Sequence, residues 1–364
     1  MSEMTIRERM LAVYNNKPTD KPALGIYQRY LPRGYEEVQA RNKGLGLILY
    51  HPTVTMLAPP WHFYDGFISQ VKNTEIKIEY FWEKGKRVER RIYQTPVGQL
   101  WQEIEKDSSG VGSEHIKKHY ITDIEDYKIM SYIVENTEFA SNKSVISSTL
   151  EDLGEGGVLL GRLDRSPYQK CLIELAGPEQ FLVDLYTNPD EVEMLLEIMG
   201  EKLTNALTLS LDTTADVFWQ PDNVTVDMTP PSAFEKYCLP FYQKQSEIVK
   251  QTGKPYFLHI DGKFRQLVES IKISGISGIE SVSSPEIGGD LEFHEAQTLL
   301  QEMVMIPNFP SNLALSKEDI IMAYVNNLKE QSKNNSFMLQ VSEDIPAHSW
   351  KYLLPILTKA LYNV

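Results

Sequence analysis

The chain has 364 residues, 42% hydrophobic and 24% charged, which allows a large buried core and excludes a disordered composition. A net charge of -14 argues against a nucleic-acid partner, whose phosphates need a basic face. No apolar run approaches the roughly 20 residues that span a bilayer, the opening MSEMTIRERMLAVYNNK lacks a signal-peptide core, and Cys171 and Cys238 form neither a disulfide framework nor a C-x-x-C pair. A cytoplasmic protein is expected.

In chain order, Met4 to Asn16 carries apolar residues at helical spacing behind Thr5-x-x-Glu8, a capping-box pattern, and predicts a short helix ended by Pro18 and Pro22. Ala23 to Tyr27 follows as a first strand. Between about 70 and 105 the text changes: KNTEIKIEYFWE and KRVERRIY alternate polar with apolar or aromatic residues. That pattern predicts an antiparallel β excursion. From about Gly157 onward, six short apolar runs alternate with amphipathic stretches: GVLLGR, DVFWQ, PYFLHI, GIES, MVMIP and SFMLQV. Repeated βα units spell a parallel sheet. An open doubly wound sheet would place a G-x-G-x-x-G turn after an early strand, and none is present. The expected architecture is α/β, a (β/α)8 TIM barrel with the antiparallel excursion near residues 70–105, in one domain over residues 1–364.

In such a barrel the residues closing each strand form the working rim. They are polar and ionisable: Arg162 and Asp164, then Gln220, Asp222 and Asn223, then His259 and Asp261, then Glu280, Asn308, Gln340, Ser342, Glu343 and Asp344. Each has a structural reading as well, such as an Asx turn at Asp222-Asn223 or a helix cap at Glu343-Asp344. Their convergence on one face points to a site. Residues i and i+2 of a strand share a side, so His259 and Asp261 can face one pocket. With Glu280 they make either a His/Asp/Glu set for a divalent cation or a histidine oriented by a carboxylate, without metal.

These residues resemble the uroporphyrinogen decarboxylase superfamily, in its branch of cobalamin-dependent methyltransferases. The likeness runs through TIRERMLAVYNNKPTDKPALGIY, Tyr30-Leu-Pro-Arg-Gly, TPVGQLWQ, WQPDNVT with FEKYCLPFYQK, LHIDGKFRQL, GIES and SEDIP. Thiol-methylating members build a zinc site from His-x-Cys, a later Cys and often an acidic residue. Here His259 keeps the histidine, Asp261 stands at the first cysteine, Ser342-Glu343 falls near the second, and Glu280 matches the acidic position. The resemblance therefore implies a harder cation, zinc or another divalent metal, held by His259, Asp261, Glu280 and Glu343 and suited to ether oxygen rather than sulfur.

The function this implies is demethylation of a small methoxylated compound, an aromatic ether among them, with methyl transfer to cobalamin carried by a corrinoid protein. His259, Asp261 and Glu280 are the expected catalytic residues. Trp219, Asp222, Asn223, Arg162, Gln340 and Tyr30 are expected to bind substrate, with Arg162 able to hold a carboxylate. Tyr27, Trp61, Phe63 and Trp101 could add aromatic walls. The chain is also compatible with a homodimer. One alternative is a uroporphyrinogen decarboxylase-type lyase. Its signature R-Q-A-G-R-Y-L-P is echoed by Gln28-Arg29-Tyr30-Leu31-Pro32-Arg33, without the Gly-Arg element. The other is a non-catalytic barrel that binds corrinoid or a partner.

Overall fold

A computed structural model of the chain describes residues 3–59, 67–106, 114–332 and 337–363. The first helix is Ile6–Tyr14, capped as the sequence reads: the Thr5 hydroxyl accepts from the Glu8 amide at 3.1 Å, and the Glu8 carboxylate accepts from the Thr5 amide at 2.8 Å. The described strands are β1 (Ala23–Tyr27), β2 (Leu45–Pro52), β3 (Gln70–Val71), β4 (Glu75–Glu83), β5 (Lys86–Thr95), β6 (Gly98–Lys106), β7 (Glu114–Lys118), β8 (Thr137–Glu138), β9 (Gly157–Arg162), β10 (Val217–Gln220), β11 (Tyr256–His259), β12 (Gly278–Val282), β13 (Val304–Pro307) and β14 (Met338–Val341).

Eight strands, in the order β13-β12-β11-β10-β9-β2-β1-β14, make one parallel sheet. The sheet closes on itself through a parallel bridge between Asn308 and Gln340, with the Phe309 amide donating to the Gln340 carbonyl at 2.7 Å. The fold is thus the expected barrel rather than an open sheet. Seven of its strands fall on the runs read from the sequence. The eighth, β2, had no assignment there, although LGLILY is a continuous apolar run of strand length.

Side chains alternate across each barrel strand. Val158, Leu160, Val217, Phe257, Ile306 and Met338 pack together as one cluster with Met10 and Tyr14 of the first helix. Tyr14 meets Phe257 edge to face with ring centroids 5.0 Å apart, and Arg7 bonds Asp216 just ahead of β10. The first helix therefore plugs the amino-terminal end of the barrel. Chemistry is left to the carboxyl end. Gly157 lets β9 approach β2: a Cβ there would stand 1.9 Å from the Leu47 carbonyl oxygen.

The excursion is a four-stranded antiparallel sheet, β4-β5-β6-β7, reaching Lys118. Its first hairpin turns on Lys84 and Gly85, both at positive φ (49° and 79°), as a two-residue hairpin turn requires.

Candidate active site

The last inward-facing residues of the barrel strands meet in one layer. β1 ends in Tyr27, β9 in Arg162 and β11 in His259; Trp219 on β10, Glu280 on β12 and Gln340 on β14 occupy the same level. Register places Glu280 directly beside His259. A bulge follows Glu280, with Ser281 held at φ 68°, a conformation that side chains other than glycine rarely adopt. Ser281 is buried, and its hydroxyl lies 2.7 Å from that of Ser342, which donates to Asn308 Oδ1 at 2.9 Å.

Glu280 is fully buried and receives four donors. Tyr27 gives its hydroxyl at 3.0 Å, Gln340 its amide at 2.6 Å, and Trp219 Nε1 and His259 Nδ1 complete the set. His259 Nε2 lies 3.5 Å from Asp261 Oδ2. Asp261 in turn accepts from Asn223 Nδ2 at 2.6 Å, and Asn223 Oδ1 accepts from Arg165 at 2.8 Å. The imidazole is thus fixed between two carboxylates. Burial alone lowers its pKa, but the Glu280 charge and the hydrogen bonds to Asp261 and Glu280 outweigh burial and hold it at about 10. Burial raises the Asp261 carboxyl, yet His259 and Asn223 prevail and keep it at about 2.

Above this set opens a cleft of about 310 Å³, walled by Tyr27, Tyr30, Tyr50 and Trp219 and holding Arg29, Arg162, Arg165, His259, Asp261 and Glu343 among its lining. The rings contact one another: Tyr27 to Tyr50 at 5.3 Å, Tyr50 to Trp219 at 5.1 Å and Tyr27 to Trp219 at 6.0 Å between centroids. Of the substrate candidates, Trp219, Asn223, Arg162 and Tyr30 line the cleft. Gln340 instead stands behind Glu280 as one of its donors. Asp222 does not line the cleft: fully buried, it accepts from the Ser166 amide at 2.9 Å and the Tyr242 hydroxyl at 2.6 Å. Trp101 stands on the excursion sheet under Lys118 and Arg90. Trp61 and Phe63 lie outside the described residues.

A cation cage needs lone pairs aimed at one point. Glu280 has both oxygens engaged by four donors, and Glu343 accepts from Asn308 at 2.7 Å. Among the described residues no group of three or more His, Cys, Asp or Glu is arranged to hold a metal. The expected divalent-metal set His259, Asp261, Glu280 and Glu343 therefore does not fit this arrangement, in which hydrogen bonds take the positions a cation would need. Both cysteines are buried, and burial pushes the Cys171 thiol up to about 12.

Three charged or aromatic residues of the cleft were not singled out from sequence: Arg29, Tyr50 and Arg165. Arg29 had a signal. It directly precedes Tyr30-Leu31-Pro32, so one arginine of the signature whose Gly-Arg element is incomplete is present, and it lines the cleft.

An eight-stranded barrel with an ionisable, aromatic-walled cleft at its carboxyl mouth has the (β/α)8-barrel architecture. Residues 115–352, more than half of the chain, match the uroporphyrinogen decarboxylase (URO-D) family, and the chain belongs to that family. Among solved structures, a methyltransferase from Methanosarcina mazei shares the fold with a TM-score of 0.57, at 16% identity, over 97% of this chain and 98% of that one. A Listeria monocytogenes structure of the vitamin-B12 independent methionine synthase kind is more distant, with a TM-score of 0.37 at 13% identity over 59% of this chain and 68% of its own. No curated protein matches the chain. No described helix is long and apolar enough to cross a membrane.

Proposed function

We propose that the protein is a methyltransferase that removes a methyl group from a methoxylated compound, an aromatic ether foremost, and passes it to the cob(I)alamin of a separate corrinoid protein. The observation that carries this reading is His259, an imidazole held in its protonated form at the base of an aromatic cleft. Family membership and the full-length likeness to an archaeal methyltransferase support it.

A methyl ether resists cleavage because its oxygen is a poor leaving group. The reduced corrinoid supplies the nucleophile for the methyl carbon. The work of this chain is at the oxygen. As the carbon–oxygen bond breaks, the electron pair stays on oxygen, and the Nε2 proton of His259 neutralises it to give a phenol. Glu280 and Asp261 favour the charged imidazole, so the proton is present at neutral pH when the bond breaks. Glu280 stabilises the imidazolium through Nδ1, while Tyr27, Trp219 and Gln340 hold Glu280 in place. Asp261, anchored by Asn223, turns Nε2 toward the cleft. Tyr30, Tyr50 and Trp219 offer faces for a single ring.

The test is methyl transfer to photoreduced cobalamin from methoxylated aromatics, methylamines and methyl thiols. Methylcobalamin should form from the ethers, and His259→Ala should slow it about 100-fold or more while the circular dichroism spectrum stays native. Transfer from amines or thiols alone, or an unimpaired His259→Ala variant, would refute the reading. A decarboxylase reading draws on one observation, the arginines of the cleft. Uroporphyrinogen turnover would measure that alternative directly.

A further inference from the structure

Arg165 lies in the loop after β9 and reaches the cleft, yet its guanidinium is turned toward the protein. Nε donates to Glu174 Oε1 at 2.9 Å, and Nη1 donates to the Pro221 carbonyl and, at 2.8 Å, to Asn223 Oδ1. Glu174 is itself held from two sides. Its Oε2 accepts from Lys170 at 2.7 Å, and its carbonyl accepts from Gln102 of β6 at 2.8 Å. Lys170 donates as well to Asp164 Oδ1 at 2.7 Å, and Asp164 Oδ2 accepts from the Leu57 amide at 2.9 Å. Arg162, Arg165 and Lys170 are set here against Asp164, Glu174 and Asp222. The cluster balances in charge, and a buried network whose members are paired is rigid.

That rigidity reaches the imidazole through one carboxamide. Asn223 stands between a guanidinium and a carboxylate, and a carboxamide has one donor end and one acceptor end. A guanidinium carries no acceptor, so Oδ1 must face Arg165, and Nδ2 is left to donate to Asp261 Oδ2 at 2.6 Å. The flipped amide would set N–H against N–H on one side and oxygen against oxygen on the other. Arg165 therefore forbids the flip. Asp261 Oδ2 lies 3.5 Å from His259 Nε2, long for a hydrogen bond. A small swing of that carboxylate either captures the Nε2 proton or leaves it to a ligand, and Asn223 sets where the oxygen stands.

We infer that Arg165 is a positioning residue: locked by Glu174, it fixes the Asn223 amide, which sets the Asp261 carboxylate that directs His259 Nε2. The effect on rate rests on the methyltransferase reading, but the chain of contacts can be measured without turnover. The test is a double-mutant cycle of Arg165→Gln and Asn223→Gly, glycine being at ease at the φ of 50° found there. Each single variant should lower kcat about tenfold or more, with KM within about twofold of wild type. The double variant should lose no more than the worse single one, because both cut the same chain. In protein carrying isotope-labelled histidine, the NMR signal of the His259 Nε2 proton is identified by its absence in His259→Gln. That signal should move in both single variants and no further in the double. Should Arg165→Gln fail to fold, Arg165→Lys takes its place, since it keeps the buried charge but not the fork that reaches Glu174 and Asn223 together. Losses that multiply in the double variant, a change in KM alone, or an Nε2 signal untouched by the Arg165 variants would overturn the inference. Shared signal shifts without any methyl transfer would leave the positioning standing and end the methyltransferase reading. Methyl transfer with independent shifts would do the reverse.

Discussion

His259 is the residue at which charge, burial and geometry meet, and its titration gives the sharpest expectations. Its folded pKa of about 10 lies above the ordinary histidine value of 6.5. A raised pKa means the folded state binds the proton more tightly than the unfolded chain. The stabilisation is complete below about pH 6.5 and is lost as pH rises through about 10. Thermal unfolding should therefore show stability falling across that window by on the order of a few kcal/mol, and His259→Gln should flatten the slope. Glu280→Gln removes the largest favourable charge on the imidazole. We expect its alkaline limb of methyl transfer to move toward lower pH by about a unit or more, a shift readable in a pH–rate profile; an unmoved limb would detach Glu280 from His259. Strand-end logic made His259, Asp261 and Glu280 legible from sequence, because position on a barrel strand fixes which residues share the rim. It did not foresee that Glu280 and not Asp261 would engage Nδ1, since that depends on the register of β11 against β12. Gln340 was read as a substrate contact for the same reason: sequence places a residue at the rim but not in front of or behind its neighbour.

At the scale of single elements, local chemistry was the most readable part of the chain. Thr5 and Glu8 cap the first helix as their spacing requires, and Lys84-Gly85 closes a hairpin between two alternating runs. What escaped is contact between elements. β2 carries an apolar run, but its identity as a barrel strand comes from pairing with β1 and β9. That pairing has a sensitive point at Gly157, whose missing side chain admits the Leu47 carbonyl. Gly157→Ala should separate β2 from β9 and lower unfolding free energy by about 2 kcal/mol or more in a denaturant titration. A variant within about 0.5 kcal/mol of wild type would show that the strands yield there without loss.

For the molecule as a whole, alternating strands and helices announced the barrel. The residues that close it were not legible. Closure depends on the bridge from Asn308 to Gln340, two residues with no pattern linking them in sequence. The buried charge cluster behind Arg162 was equally hidden, because Arg165, Lys170 and Glu174 sit on a stretch that reads as an ordinary helical segment. The barrel's two ends differ by their packing: the first helix seals one, and the strand ends at the other bring His259, its two carboxylate partners and an aromatic-walled cleft to one place.

The measurement that bears most directly on this account is the rate of methylcobalamin formation from a methoxylated aromatic compound, with and without a strong chelator. Hydrogen bonds occupy Glu280 fully and His259 carries the acid proton, so transfer should proceed at the same rate in both, and fall about 100-fold or more in His259→Ala. Transfer abolished by the chelator and restored by a divalent metal would contradict the account and return His259, Asp261 and Glu280 to the role of metal ligands.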